Sequence, residues 1–215
     1  MTQAAIEALL RQKIGLDALT IGSNTIARAV NRRMADCGLT DIKIYLAKLQ
    51  ASPQELEELI ETVVIPETWF FRDREPFVFL SRYVQSEWLP KNPGKTLRVL
   101  SLPCSTGEEP YSIAIALTEA GLNPINFCID AADISKVAIK KAMRGDYGKN
   151  SFRNKNLDFR ERYFTSTGDL YQLNESVRRK VNFIQGNILD RYFLVNQLPY
   201  DVIFCRNVLI YFDEA

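Results

Sequence analysis

From Leu97 onward, short apolar runs ending in turn residues alternate with stretches of helical length, and no other feature restricts the fold as much. LRVLSLP (97–103), INFCIDAAD (125–133), VNFIQGN (181–187) and YDVIFCRNVLIYF (200–212) read as strands. Ile113, Ile115, Ala116 and Leu117 mark a helix after the first strand, and a second helix is expected from about Ser135 to Met143. Strands separated by helices of this length imply a parallel sheet wrapped by helices. The segment RERYFTSTGDLYQLN (160–174) departs from the alternation and reads as a hairpin turning at Ser166-Thr167-Gly168-Asp169.

The first sixty-odd residues have a different texture, that of short helices. Ile6, Leu9, Leu10 and Ile14 repeat at helical spacing until Gly15 stops the run. A second helix, capped by Ser23 or Asn24, carries Ile26, Ala29 and Val30 and ends before Gly38. Thr40 is expected to cap a third. Ser52-Pro53-Gln54-Glu55 starts a fourth, with a capping serine, proline at the first helical position and a glutamate placed for a capping box. A connecting helix through Pro76, Leu80 and Trp88 closes at Pro90–Gly94, ahead of the first strand.

The chain has no histidine. This removes the commonest general base and the Ser-His and Cys-His pairs of nucleophilic catalysis. Cys37, Cys104, Cys128 and Cys205 form no CxxC pair, so no zinc or redox motif and no metal site is expected. A net charge of +1 carries no nucleic-acid signature. No apolar run approaches the roughly 20 residues of a membrane span, and the amino terminus lacks a signal-peptide core. The expected compartment is the cytoplasm.

In an open α/β sheet, ligands bind beyond the carboxyl ends of the strands. The first strand is followed by Pro103-Cys104-Ser105-Thr106-Gly107-Glu108-Glu109-Pro110, where Gly107 permits a tight turn and Ser105 or Thr106 could cap the next helix. Asp133 ends the second strand, where a carboxylate can accept both hydroxyl hydrogens of a ribose. Arg206-Asn207 follows the fourth. The first loop lacks the glycine pattern of a pyrophosphate site, which favours a cofactor without phosphates there. A sulfonium methyl donor suits a chain without imidazole, because a carboxylate acceptor of pKa about 4.3 is already ionised at neutral pH. The segment Pro66-Glu67-Thr68-Trp69-Phe70-Phe71-Arg72-Asp73 reads either as an interdomain plug or as a wall for the cofactor, with Arg72 orienting a carboxylate bidentately.

PETWFFRD, SLPCSTGEEPYSIAIAL, AADIS, GDYG, RYF and YDVIFCRNVLIYFD occur in the order and spacing of the chemoreceptor glutamate methyltransferases, the CheR family. The chain resembles that family over about Val64 to Asp213, and is most similar to members serving surface-sensing, Wsp-type receptor pathways. The resemblance implies a helical N-terminal domain for receptor recognition (1–63), a linker and connecting helix (64–96), and a Rossmann-like S-adenosylmethionine-binding α/β domain (97–215). A small antiparallel β subdomain would be inserted at about 158–180. Carried over by motif, Thr68, Arg72, Glu108, Asp133, Asn187, Ile188, Asn207 and Val208 would bind the cofactor, with Arg72 and Tyr211 organising the transfer. Arg28, Arg32 and Arg33 would meet the acidic methylation helices of a receptor. S-adenosylhomocysteine would be the product.

Three departures accompany the match. Pro66 stands where many members have asparagine. The turn between Phe164 and Leu170 is short, so recognition is expected not to use a receptor's C-terminal pentapeptide. Members continue past the position of Asp213 with a helix and a strand hairpin, so a chain ending at Ala215 is expected to lack those strands, as a trimmed fragment would. Two other readings stay open: a non-catalytic nucleoside-binding scaffold or sensor on a receptor, and a methyltransferase acting on nucleic acid or a small molecule.

Overall fold

The computed structural model describes residues 2–64 and 66–212, and only the backbone of Tyr211. These fall into two units. The first comprises the chain to residue 64 together with 187–195 and 206–212, and the second comprises 66–186 and 196–205.

The first unit is built on α1 (Thr2–Ile14), α2 (Ala18–Ile21), α3 (Ser23–Asp36), α4 (Ile42–Ala51) and α5 (Pro53–Val63). In α1 the residues buried are Ile6, Leu10 and Ile14, one per turn on a single face. Gly15 ends it at φ +71, a conformation open to glycine at little cost. Capping differs from expectation at three places. Gly22 precedes α3 with no side-chain cap, so neither Ser23 nor Asn24 performs that role. Asp41, not Thr40, caps α4, its carboxylate accepting from the Lys43 amide at 2.7 Å. Ser52 caps α5 through its bond from the Glu55 amide, but the Glu55 carboxylate does not return to close a capping box. It turns inward, 6% exposed, and accepts from Arg33 Nε (3.0 Å), Arg33 Nη2 (2.9 Å), Tyr45 OH (3.0 Å) and Cys37 Sγ (3.3 Å). A charge that far from water requires such partners, and they recruited the glutamate away from the cap.

The second unit begins with α6 (Glu75–Tyr83), a π-helical stretch from Val84 to Trp88, and α7 (Leu89–Lys91). Pro90 has no N–H to return to residue 86 and its ring crowds that carbonyl, which accounts for the widened turn. The sheet follows: β1 (Leu97–Ser101), α8 (Glu108–Glu119), β2 (Phe127–Asp133) and α9 (Lys136–Arg144). Next come β3 (Asp146–Tyr147), α10 (Asp158–Tyr163), β4 (Phe164–Thr167), β5 (Leu170–Leu173) and α11 (Glu175–Arg178). β6 (Val181–Gln185) and β7 (Val202–Phe204) follow. β6-β2-β1-β7 is a wholly parallel sheet, with β1 in register between β2 and β7. Strands pair on one side of β1 first and β7 then crosses to the other side, so the direction of winding reverses at β1, where such folds open a ligand crevice. The core beneath it is Val99, Ile113, Ile115, Leu117 and Ile129 with Leu80 and Trp88.

The inserted hairpin β4–β5 turns at Gly168-Asp169, as expected. It gains a strand that was not foreseen, since β3, from the GDYG motif, pairs antiparallel with β5 to give the order β3-β5-β4. An aromatic cluster fills its underside. The fully buried Phe70 ring lies 4.8 Å from Tyr147, 5.3 Å from Phe152 and 5.0 Å from Phe164. Edge-to-face pairs among these rings suit their quadrupoles.

Candidate active site

The loops after β1 and β2 meet on one carboxylate. Asp133, 6% exposed, accepts from the Ser105 amide on one oxygen (2.7 Å) and from the Ser135 amide on the other (2.9 Å). Cys104 N–H donates to the Ala132 carbonyl at 2.8 Å, and Gly186 N–H to the Asp133 carbonyl at 2.9 Å. Ser105 is held at φ +48 and Gly107 at φ +94, so the chain bends twice within three residues. At Gly107 the close approach comes from the protein itself. A Cβ there would lie 2.8 Å from Ala142 Cβ and 3.0 Å from the Tyr147 hydroxyl. Neither Ser105 nor Thr106 caps α8. Thr106 Oγ1 donates instead to Glu108 at 2.6 Å, and Ser105 Oγ is buried without a hydrogen-bond partner.

Glu108 is 1% exposed at the start of α8. Its second oxygen accepts from Ser151 Oγ at 2.8 Å. Burial pushes its carboxyl up, and the Thr106 and Ser151 hydroxyls only partly offset this. Glu108 is also tied to the segment 66–73. Ser112 Oγ donates to the Glu108 carbonyl (2.6 Å) and accepts from the Phe71 amide (2.9 Å), while Phe70 N–H donates to the Ser151 carbonyl (2.9 Å). Asn154 Nδ2 holds the Phe70 carbonyl at 2.5 Å. Arg72 therefore follows a backbone fastened at Phe70 and Phe71, with Phe71 and Asp73 beside it each at φ +52. Its Nη1 donates to the Glu67 carbonyl at 2.8 Å, and its guanidinium lies 4.6 Å from the Trp69 ring. Thr68 is half-buried in the same turn.

Of the expected residues, Glu108 is linked by hydrogen bonds through Ser112 to Phe71, the neighbour of Arg72 in the chain, and to Thr106, whose neighbour Ser105 donates its amide to Asp133. Asn187, Ile188, Asn207 and Val208 belong to the first unit. There Asn187 Oδ1 accepts from the Leu189 amide and its Nδ2 donates to the Lys13 carbonyl, which closes α1. Ile188 is exposed, Val208 half-buried, and Asn207 sits at φ +59. The Tyr211 side chain lies outside the described residues. Among the three arginines of α3, Arg28 and Arg32 are exposed, but Arg33 is held by Glu55 and Asp36 with its side chain only 16% exposed. Arg33, unlike the other two, is thus turned toward the buried Glu55, whose charge it balances.

Ser112, Ser151 and Asn154 had not been singled out. Ser112 stands within the quoted motif and could have been suspected, whereas nothing in the texture around Ser151 or Asn154 marks them. Among the described residues no cluster of His, Cys, Asp or Glu could hold a metal, and no helix is long and apolar enough to cross a membrane.

The acceptors fit a cationic nucleoside. A carboxylate at the end of β2, as Asp133 is, suits the hydroxyls of a ribose. Glu108, bonded by hydroxyls and destabilised as an anion by burial, suits a positive group brought alongside it. A parallel sheet that reverses at β1, a carboxylate at the end of β2 and a small antiparallel insertion together define an S-adenosylmethionine-binding methyltransferase fold. The chain belongs to the CheR methyltransferase family. Residues 66–215 match its SAM binding domain and residues 4–64 its all-alpha domain.

The chain is 52% identical over 208 residues to the probable biofilm formation methyltransferase WspC of Pseudomonas aeruginosa, covering 97% of this chain and 49% of that protein. It is 43% identical over 213 residues to the protein of the same description from Pseudomonas putida, covering 99% of this chain and 50% of that one. It is also 32% identical over 217 residues to the chemotaxis protein methyltransferase of Escherichia coli, covering 98% of this chain and 73% of that protein. The chain thus spans about half the length of the two WspC relatives.

Proposed function

We propose that the protein methylates glutamate side-chain carboxylates on the cytoplasmic methylation helices of a methyl-accepting chemoreceptor, forming glutamyl methyl esters and releasing S-adenosylhomocysteine. The observation that carries this reading is the meeting of the β1 and β2 loops on Asp133, beside a buried Glu108 bonded to the segment that presents Arg72. The names of the relatives, chemotaxis and biofilm formation methyltransferases, agree with it.

S-adenosylmethionine, when bound, supplies an electrophilic methyl carbon on a sulfonium sulfur. Asp133 accepts the ribose hydroxyls, Glu108 faces a cationic group of the cofactor, and Thr68, Asn187, Ile188, Asn207 and Val208 complete its site. Arg72 orients the acceptor carboxylate through a two-pronged contact and, with Tyr211, aligns it for in-line attack. No general base is required, because a glutamate of pKa about 4.3 arrives ionised. Arg28 and Arg32, four residues apart on one face of α3, meet the acidic receptor helix. The two-residue turn between β4 and β5 supports recognition without a pentapeptide tether. The protein acts in the cytoplasm.

Calorimetric titration tests the reading. S-adenosylmethionine and S-adenosylhomocysteine should bind and NAD should not. Asp133→Asn turns one of the two acceptor oxygens into a donor facing the Ser105 or Ser135 amide and removes the charge, and should weaken both nucleosides about 10-fold or more, as expected for a hydrogen bond to a charged group worth about 1.5–3 kcal/mol. Unchanged affinity would remove Asp133 from the site, and absence of any nucleoside binding would leave the receptor-bound scaffold in its place.

A further inference from the structure

We infer that Trp69 and Arg153 are positioning residues for Arg72, forming a clasp that fixes the plane of its guanidinium. This rests on the role of Arg72 proposed above. The Trp69 indole is shared by two guanidinium groups, Arg72 at 4.6 Å and Arg153 at 4.7 Å from the ring centroid. Glu67 closes the ring of contacts. Its carbonyl accepts from Arg72 Nη1 at 2.8 Å and its carboxylate from Arg153 Nη1 at 3.2 Å. Arg153 is further steadied by Nε donating to the Asn150 carbonyl at 3.2 Å.

The arrangement does something that each contact alone would not. A single planar guanidinium lying on a half-buried indole leaves the ring free to tilt. With a second guanidinium on the same ring, and both arginines tied to one residue, tilting breaks two stacks and strains two hydrogen bonds. Arg153 already meets the Glu67 carboxylate, so its charge is answered within the clasp, and its effect on chemistry runs through the indole. The backbone beneath is prepared in the same way. Phe71 and Asp73 occupy the left-handed region on either side of Arg72, a conformation that persists only where the surroundings over-determine it. On the Phe71 side that constraint comes from the bonds that Phe70 and Phe71 make with Ser112, Ser151 and Asn154. The segment fixes where Arg72 starts, and the clasp fixes where it points.

The test combines spectroscopy with a double-mutant cycle. The chain has two tryptophans, so a Trp88→Phe background isolates the emission of Trp69. There, Arg153→Ala should lower the steady-state anisotropy of Trp69 and shift its emission, with the far-ultraviolet circular dichroism unchanged because the Arg153 side chain is 46% exposed. Methyl transfer from S-adenosylmethionine to a purified chemoreceptor signalling fragment should fall between about 10- and 100-fold, mostly in kcat, as expected when a reacting group is misplaced by about 1 Å. Arg153→Lys keeps the charge opposite Glu67 but not the flat fork, and should behave like alanine.

In an Arg72→Ala background, Arg153→Ala should cost nothing further. An equal loss from Arg153→Ala with and without Arg72, or full activity and ordering in Arg153→Lys, would overturn the clasp and leave the role of Arg72 standing. Undiminished transfer by Arg72→Ala itself would instead sink both.

Discussion

Two buried glutamates, Glu55 and Glu108, are driven by their surroundings in opposite directions. At Glu55 burial alone would push the carboxyl up, but hydrogen bonds from Arg33, Cys37 and Tyr45 outweigh it and hold the group below the ordinary value. Its contribution to stability is therefore present above that value and lost as the pH falls through the lowered one. Glu55→Ala leaves Arg33 with only Asp36 and Glu58 and removes the acceptor of the buried Tyr45 hydroxyl, and should cost about 1–3 kcal/mol in urea unfolding at neutral pH. The loss should shrink as the wild-type protein is taken into acid. Glu108 has the reverse sign. Its folded value is raised, so the protein gives up stability as the pH rises through it. The stability of wild type relative to Glu108→Gln should fall as the pH rises above the ordinary carboxylate value, while the variant binds S-adenosylmethionine more weakly. A wild-type-minus-variant difference that does not change with pH would show that the assignment of Glu108 as a carboxylate strained by burial is wrong. Neither role was legible in the sequence. Glu55 looked like half of a capping box and Glu108 like a loop acid, because the partners that decide their chemistry come from other elements, Arg33 lying 22 positions before Glu55 and Ser151 lying 43 after Glu108.

At the scale of elements the sequence was far more explicit. Period and turn chemistry located β1, β2, α8, α9 and the β4–β5 hairpin, since each carries its own pattern within a window of about ten residues. β3 escaped notice because it is two residues long and is defined only by its pairing with β5. Asp41 caps α4 where Thr40 was expected, because both residue types serve and only the backbone decides between neighbours. The segment 66–73 left two readings open, an interdomain plug or a wall for the cofactor, and its buried Phe70 packs within the second unit. Phe70 plugs the aromatic cluster while its own amide and carbonyl are fastened to Ser151 and Asn154. Phe70→Ala should thus do two things at once. It should cost about 3–5 kcal/mol of stability for the lost ring, and it should weaken cofactor binding by loosening Arg72. A loss of stability with unchanged affinity would separate the plug from the site.

For the whole molecule, a net charge of +1 conceals an uneven distribution, with seven basic and four acidic residues in the first fifty. Arg28 and Arg32 are exposed within that stretch. Reversing both to glutamate should weaken association with an acidic receptor fragment, most strongly at low ionic strength where screening is least, and should leave the affinity for S-adenosylhomocysteine unchanged. Salt-independent association would argue for an apolar contact instead. The parallel sheet has a further consequence for how the protein is made. β1 acquires β2 as a neighbour soon after leaving the ribosome, but its other neighbour, β7, is encoded about 70 residues after β2 ends. At bacterial elongation speeds that is a wait of roughly 4–14 s. For that time β1, which lies between β2 and β7 in the folded sheet, is an open edge, and a nascent chain stalled between residues 140 and 200 should be the one that chaperones hold.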